Sequence, residues 1–179
     1  MQLANVEIRP ERADDVDAIR NVHIAAFASD LSPVPIEGAL VDQLRADPAA
    51  WLPALSLVAI AFDTVVGHVI CTRGYLDADV PALALGPIGV DPSHQRRGIG
   101  SALVRAVCAA AEDHGEVLVA LLGDPAFYSR LGFVPAADLA IAAPLPGWAR
   151  HFQVRPLAGF DAVHHRGTFT YPRAFGADP

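Results

Sequence analysis

The chain has no lysine. All 13 of its basic residues are arginine, so chemistry that needs a lysine amine, such as a Schiff base or the phosphate-gripping lysine of a P-loop, is excluded. Cysteine is almost as scarce. Cys71 and Cys108 lie far apart with no metal-ligand spacing around them, which argues against a disulfide framework and a zinc site and predicts two buried, reduced thiols. No metal is expected. No apolar run approaches the roughly 18 residues that span a bilayer, and the opening MQLANVEIRPERADD has no basic segment leading into an apolar one. Neither a membrane partner nor a secretory leader is therefore expected, and the expected location is the cytoplasm. Positive charge is in deficit, with 13 basic against 20 acidic residues and a formal net charge of −7. That balance disfavours nucleic acid as a partner. It suits a cationic acceptor and opposes an anionic cofactor, unless a local field overrides the global one.

What is present is a hydrophobic share of 53% in 179 residues, enough for one domain with a real core and too little for two. Val6 to Arg9 alternates and meets Pro10, the pattern of a strand at a sheet edge. From Asp14 onward Val16, Ile19, Val22, His23, Ala26 and Phe27 recur at helical spacing. Ser29 to Ile36 reads as a loop, and Glu37 to Ala46 as a second helix with Leu40, Val41 and Leu44 on one face. Leu55 to Phe62 and Val65 to Thr72 read as a hairpin, with Val66, His68 and Ile70 expected on one face. Arg73 to Pro81 reads as a variable loop in which Asp77 and Asp79 are solvated. Beyond Pro135, strands are expected near Phe152 to Arg155 and Gly167 to Tyr171. The adjacent His164 and His165 would face opposite ways on a strand and make no metal site.

The informative stretch is Leu85 to Ala111, LGPIGVDPSHQRRGIGSALVRAVCAAA. Its order is strand, glycine-containing loop, helix. Pro87 cannot donate to a ladder, so pairing should lapse there and leave backbone groups near Ile88, Gly89 and Val90 open to a ligand. The first N–H groups of the helix have no partner inside it, and the macrodipole adds about half a positive charge, so an anion is the natural occupant. Gly98 and Gly100 would let a diphosphate approach the main chain, and Arg96 and Arg97 add charge that is not lost near neutral pH. The helix from Ser101 to His114 ends at Gly115. Val117 to Leu122 is apolar without alternation, as in a strand covered on both faces. Asp124 and Pro125 then suit the N-cap and first position of a short helix carrying Tyr128.

The pattern Gln95-x-x-Gly98-x-Gly100 directly after a strand resembles the acetyl-CoA-binding motif of the GNAT superfamily of N-acetyltransferases. Tyr128-x-x-x-Gly132-Phe133 resembles that family's second element, and with Gly123-Asp124-Pro125 the chain is most similar to the bacterial YhbS-like branch. The resemblance implies a single N-acetyltransferase domain over residues 1–179, with its cofactor-binding core at about 83–134. It implies an α/β GNAT-like fold: a mixed sheet of about seven strands, about four helices and a central βαβ unit. The implied activity is acetyl transfer from acetyl-CoA to a primary amine by direct attack in a ternary complex. Ile88, Gly89, Val90, Gln95, Arg96, Arg97, Gly98, Ile99, Gly100 and Ser101 are the expected cofactor contacts.

Tyr128 is the candidate acid toward the departing sulfur, with Phe127 beside it as core. Many relatives carry a base as a Glu on the central strand, and here LALGPIGV has no acid. His68, on the neighbouring strand, and Glu37, which would meet a cationic substrate, are the candidates in its place. His94 is expected to pack. A small amine is the expected acceptor, and a homodimer is a candidate assembly. The alternatives are a protein lysine or N-terminal amine as acceptor, and a module that holds CoA without turnover.

Overall fold

The computed structural model describes residues 6–29, 32 and 35–176. Four helices and nine strands are named among them: β1 Val6–Pro10, α1 Val16–Phe27, α2 Glu37–Ala46, β2 Ser56–Ala61, β3 Thr64–Leu76, β4 Val80–Val90, α3 Ile99–Asp113, β5 Leu118–Leu122, α4 Pro125–Tyr128, β6 Val134–Pro135, β7 Ile141–Ala142, β8 Phe152–Pro156 and β9 Gly167–Thr168. Seven strands form one mixed sheet in the order β1-β2-β3-β4-β5-β8-β6, and β7 pairs with β9 in a separate small ribbon. β1 lies at the edge, where a terminal proline costs no ladder bond. Of the expected loop Ser29 to Ile36, residues 30, 31, 33 and 34 lie outside the described residues.

Two apolar layers cover the sheet. Leu103, Val104 and Val107 of α3 pack on Leu57, Val69, Leu83 and Val119, as the 3.6-residue period of that helix requires. On the opposite face Ile19 of α1 and Val41 of α2 close over Val58. Further along that face, Phe152, Phe169 and Ile141 from the C-terminal part cover Ala84, Leu118 and Ala120. Leu118 to Leu121 are thus buried from both sides. Each fully buried aliphatic side chain contributes roughly 1.5–3 kcal/mol. Cys71 and Cys108 are free and buried; burial pushes both thiols up, Cys108 to about 11.

Two expectations are corrected. The segment Arg73 to Pro81 is no variable loop: β3 runs on to Leu76, a single 3-10 turn spans Asp77–Asp79, and β4 starts at Val80. Cross-strand pairs from Arg73↔Leu83 to Leu76↔Val80 hold it, and Asp77 accepts a bond from the Thr168 N–H at 3.0 Å. Val66 does not share a face with His68. A register shift at Ala59/Ile60 interrupts the β2–β3 ladder and turns Val66 into the α3 side of the core. Strict alternation fails wherever a bulge adds one residue.

The feature that positions the site is where the sheet opens. β4 pairs with β5 only at Leu83↔Val119 and Ala84↔Ala120. On its other side β4 stays paired with β3 as far as Val90, with a shift opposite Gly86 and Pro87. From Leu85 to Val90 one edge of β4 therefore has no partner strand among the described residues.

Candidate active site

The loop between β4 and α3 is braced from within. Asp91 accepts the Ser93 N–H at 2.9 Å, and the Gln95 side-chain amide donates to the Val90 carbonyl at 3.0 Å. Arg96 and Gly98 take left-handed conformations, with φ of 58° and 87°, and successive turns of this kind make main-chain amides converge. Gly98 is the N-cap of α3, no side chain caps the helix, and the first helical bond runs from the Ala102 N–H to the Gly98 carbonyl. The N–H groups of Ile99, Gly100 and Ser101 are thereby left for an external acceptor.

They border a cleft of about 600 Å³ that takes in Ile88, Gly89, Val90, Gln95, Arg96, Gly98, Ile99, Gly100 and Ser101. Arg97 is exposed and is the one expected contact that does not line it. Ala26, Phe27, His94, Phe127 and Arg130 complete the wall. A Cβ added at Gly100 would meet nothing nearer than 3.8 Å. Internal packing therefore does not demand glycine at that position, whereas the close approach of a bulky anion would.

A second cavity of about 410 Å³ shares Phe27 and Ile88 with the first. It occupies the mouth between the parted strands, bounded by Leu85 to Pro87 on one side and Leu122 to Asp124 on the other, with Glu37, Leu40, Trp148, Tyr171, Phe175 and Tyr128 around it. Asp124 accepts the Ala126 N–H at 2.9 Å, capping the short helix that carries Tyr128. Tyr128 packs edge-on to Phe127 and Phe133, and a Cβ at Gly123 would collide with its ring. Burial alone raises its phenol to about 12.

His68 is placed elsewhere. It is fully buried and lines neither cavity, with one ring nitrogen 2.8 Å from Ser56 Oγ and the other 2.8 Å from His23 Nε2. Ser56 also donates to Glu11, which receives the Arg45 guanidinium at 2.7 Å. Burial favours the neutral acid at Glu11, but bonds from His68, Arg45 and Ser56 outweigh it and hold the carboxyl at about 2. The expectation of His68 as a base facing substrate is corrected on this ground: both nitrogens are engaged, and His23 stands between it and Gly89 on the cleft floor.

The sequence pattern of the acetyltransferase (GNAT) domain matches residues 54–135. The chain is 35% identical to the uncharacterised N-acetyltransferase YjhQ of Escherichia coli K12 over 136 residues, covering 74% of this chain and 72% of that one. It is 32% identical to the uncharacterised N-acetyltransferase YhbS of the same strain over 160 residues, 87% of each. The chain belongs to the GNAT family of N-acetyltransferases. The crystal structure of E. coli YhbS in complex with CoA superposes with a TM-score of 0.86 at 30% identity, over 96% of this chain and 92% of that one. A GNAT acetyltransferase from Brucella melitensis in complex with acetyl-CoA gives 0.75 at 32% identity, over 96% and 98%.

Three features of this GNAT acyltransferase escaped the sequence. Arg130 sits within the Tyr128 to Phe133 element and reaches the first cleft, its guanidinium 5.8 Å from the Phe127 ring centre; a basic residue two positions after a motif tyrosine was the available signal. The pairing of His23 with His68 had a fainter one, a histidine at a core position of an otherwise apolar helix face. Trp148, Tyr171 and Phe175 carried no spacing pattern at all. No group of metal-ligating side chains occurs among the described residues. His164 and His165 lie in a turn where both bond to Asp161.

Proposed function

We propose that the chain transfers an acetyl group from acetyl-CoA, held in the first cleft, to a small primary amine entering through the second cavity. The observation that carries this is the junction of the two spaces at Phe27 and Ile88. One has arginine and unpaired helix N–H groups on its wall, and the other has Tyr128. The main-chain amides from Arg96 to Ser101 would hold the diphosphate, with Arg96 and Arg130 adding charge. The free edge of β4 at Ile88 to Val90 would receive the pantetheine amides as a strand would.

Acetyl-CoA supplies a thioester whose carbonyl carbon forms the new C–N bond as the C–S bond breaks, so that the proton lost by nitrogen is balanced by the one gained by the released thiol. Holding both reactants in one geometry lowers the barrier by roughly 7–11 kcal/mol, which makes the paired cavities the main catalytic device. Tyr128 lines the second cavity and would offer its hydroxyl to the departing sulfur. Full proton transfer from a phenol near 12 to a thiolate whose acid ionises near 8.5 is uphill by about 5 kcal/mol. Tyr128 therefore stabilises the sulfur by hydrogen bonding. Glu37 supplies a carboxylate for the ammonium on the acceptor side; of the two protons that nitrogen gives up, one leaves to solvent before attack and the other is balanced by the one the departing thiolate takes up.

Thiol release from acetyl-CoA in the presence of a panel of amines tests this reading. Amine-dependent release supports it, and CoA binding without any turnover overturns it.

A further inference from the structure

The two adjoining cavities carry opposite charge. Among the described residues, the first cleft is lined by Arg96 and Arg130 and no carboxylate; the second has Glu37 and Asp124 and no arginine. In a protein of net charge −7, that division gives a polyanion and an ammonium separate addresses that meet at one wall. The Asp124 carboxylate is already taken as a helix cap, which leaves Glu37 as the group for a cation.

The rest of the second cavity is apolar and aromatic. Trp148 and Tyr171 stand edge to face at 6.1 Å, and Tyr171 and Phe175 lie 4.9 Å apart, so the rings brace one another before any ligand arrives. The Tyr171 hydroxyl is buried without a partner among the described residues, and a ligand atom that reached it would meet no competitor. A space of about 410 Å³ falls in the range of small-molecule sites. Among the described residues, a polycation would find no second free carboxylate in this cavity for its second charge.

We infer that the second cavity selects a primary amine carried on an apolar, ring-sized body, with Glu37 meeting the ammonium and Trp148, Tyr171 and Phe175 enclosing the ring. The inference rests on the acetyl-transfer reading and narrows its acceptor.

The test uses the full chain saturated with CoA, titrated calorimetrically with 2-phenylethylamine, spermidine and a short lysine-bearing peptide, alongside initial rates of thiol release from acetyl-CoA. Phenylethylamine is expected to bind most tightly and to show a kcat/KM at least roughly tenfold above the other two. Glu37→Gln is expected to weaken its binding by roughly tenfold, the scale of one charge-assisted hydrogen bond, with CoA affinity unchanged. Trp148→Ala should weaken phenylethylamine and leave spermidine alone. Turnover that favours spermidine or the peptide, or a Glu37→Gln protein with unaltered amine binding, overturns the inference and leaves acetyl transfer standing. Absence of turnover with all three, in a protein that still binds CoA, overturns both.

Discussion

His23 Nε2 lies 2.8 Å from His68 Nδ1 with both rings fully buried, and the direction of that bond is set several atoms away at Glu11. Held ionised by Arg45, Glu11 accepts only, so Ser56 must donate to it. Ser56 Oγ must then accept from His68 Nε2, which leaves His68 Nδ1 to accept from His23 Nε2. The last atom in the chain, His23 Nδ1, is buried with no partner among the described residues. An orphan acceptor of that kind costs about 1–3 kcal/mol. Four elements are tied together by this line, and α1, which carries Ala26 and Phe27 to the cleft, is one of them.

Acid should dissolve this network in a defined window. Burial, with the cost of charging a second imidazole beside His68 and the field of Arg45, lowers the His23 pKa to about 3 from 6.5, and burial lowers that of His68 too. Both stay neutral in the fold, so below about 6.5 the unfolded chain takes up protons that the native state does not, and stability falls with pH. Glu11 acts in the same direction lower down: its contribution is whole above 4.5 and is lost as pH falls toward its folded value of about 2. Urea titrations should show the unfolding free energy dropping by about 1–2.5 kcal/mol per unit between pH 6 and 5, and further below 4.5. A flat profile from pH 7 to 5 would contradict the neutral pair.

Gly89 and His23 should be coupled energetically. A Cβ at Gly89 would stand 3.0 Å from His23 Nδ1, so Gly89→Ala should destabilise by roughly 1–3 kcal/mol through overpacking. Combined with His23→Ala, much of that cost should vanish. A double-mutant cycle by chemical denaturation reads the coupling directly, and strictly additive losses would show that the two residues do not touch.

Tyr128→Phe removes one hydroxyl and leaves the packing on Phe127 and Phe133. Turnover should fall by roughly 10–100-fold, the scale of one hydrogen bond formed in the transition state, while the CoA dissociation constant stays within about twofold. Because burial raises the phenol to about 12, the wild-type rate should show no loss from tyrosine ionisation up to about pH 10.5. Equal rates for the two proteins would remove Tyr128 from the reaction.

Arg130→Ala should weaken CoA binding by about three- to tenfold at low ionic strength and by less in 0.5 M salt, since a partly exposed charge is screened. Calorimetry at two salt concentrations checks it. An unchanged affinity would place the Arg130 guanidinium outside the phosphate field.

The sequence was most legible where one local rule decided the outcome. Glu37 to Ala46 forms the helix its spacing predicts, and Asp124 with Pro125 caps and opens α4 as their chemistry dictates. The unbroken apolar run before Leu122 is covered on both faces. Legibility failed where a single extra residue changed parity, as at Val66, and where partners meet across large separations. Nothing near Glu11 in sequence signals that it will share a proton network with His23, His68 and Arg45, because that meeting depends on how α1 and α2 settle on the sheet. The proposed cofactor residues come from one strand and the loop that follows it, so a short pattern can point to them. The second cavity, proposed for the acceptor, is lined from α1, α2, the strand mouth and the C-terminal segment, and no short pattern encodes such a place.

The central claim is that the main chain between Gln95 and Ser101 holds a diphosphate. Calorimetric titration of CoA into the wild-type protein and Gly100→Asp tests it most directly, because a side chain at Gly100 meets only ordinary contacts, 3.8 Å from Phe127 and Val90, and should not disturb the fold. The account predicts an unchanged melting temperature and an affinity reduced by at least roughly thirtyfold, as a carboxylate enters the phosphate path. Equal affinity in the two proteins would contradict it.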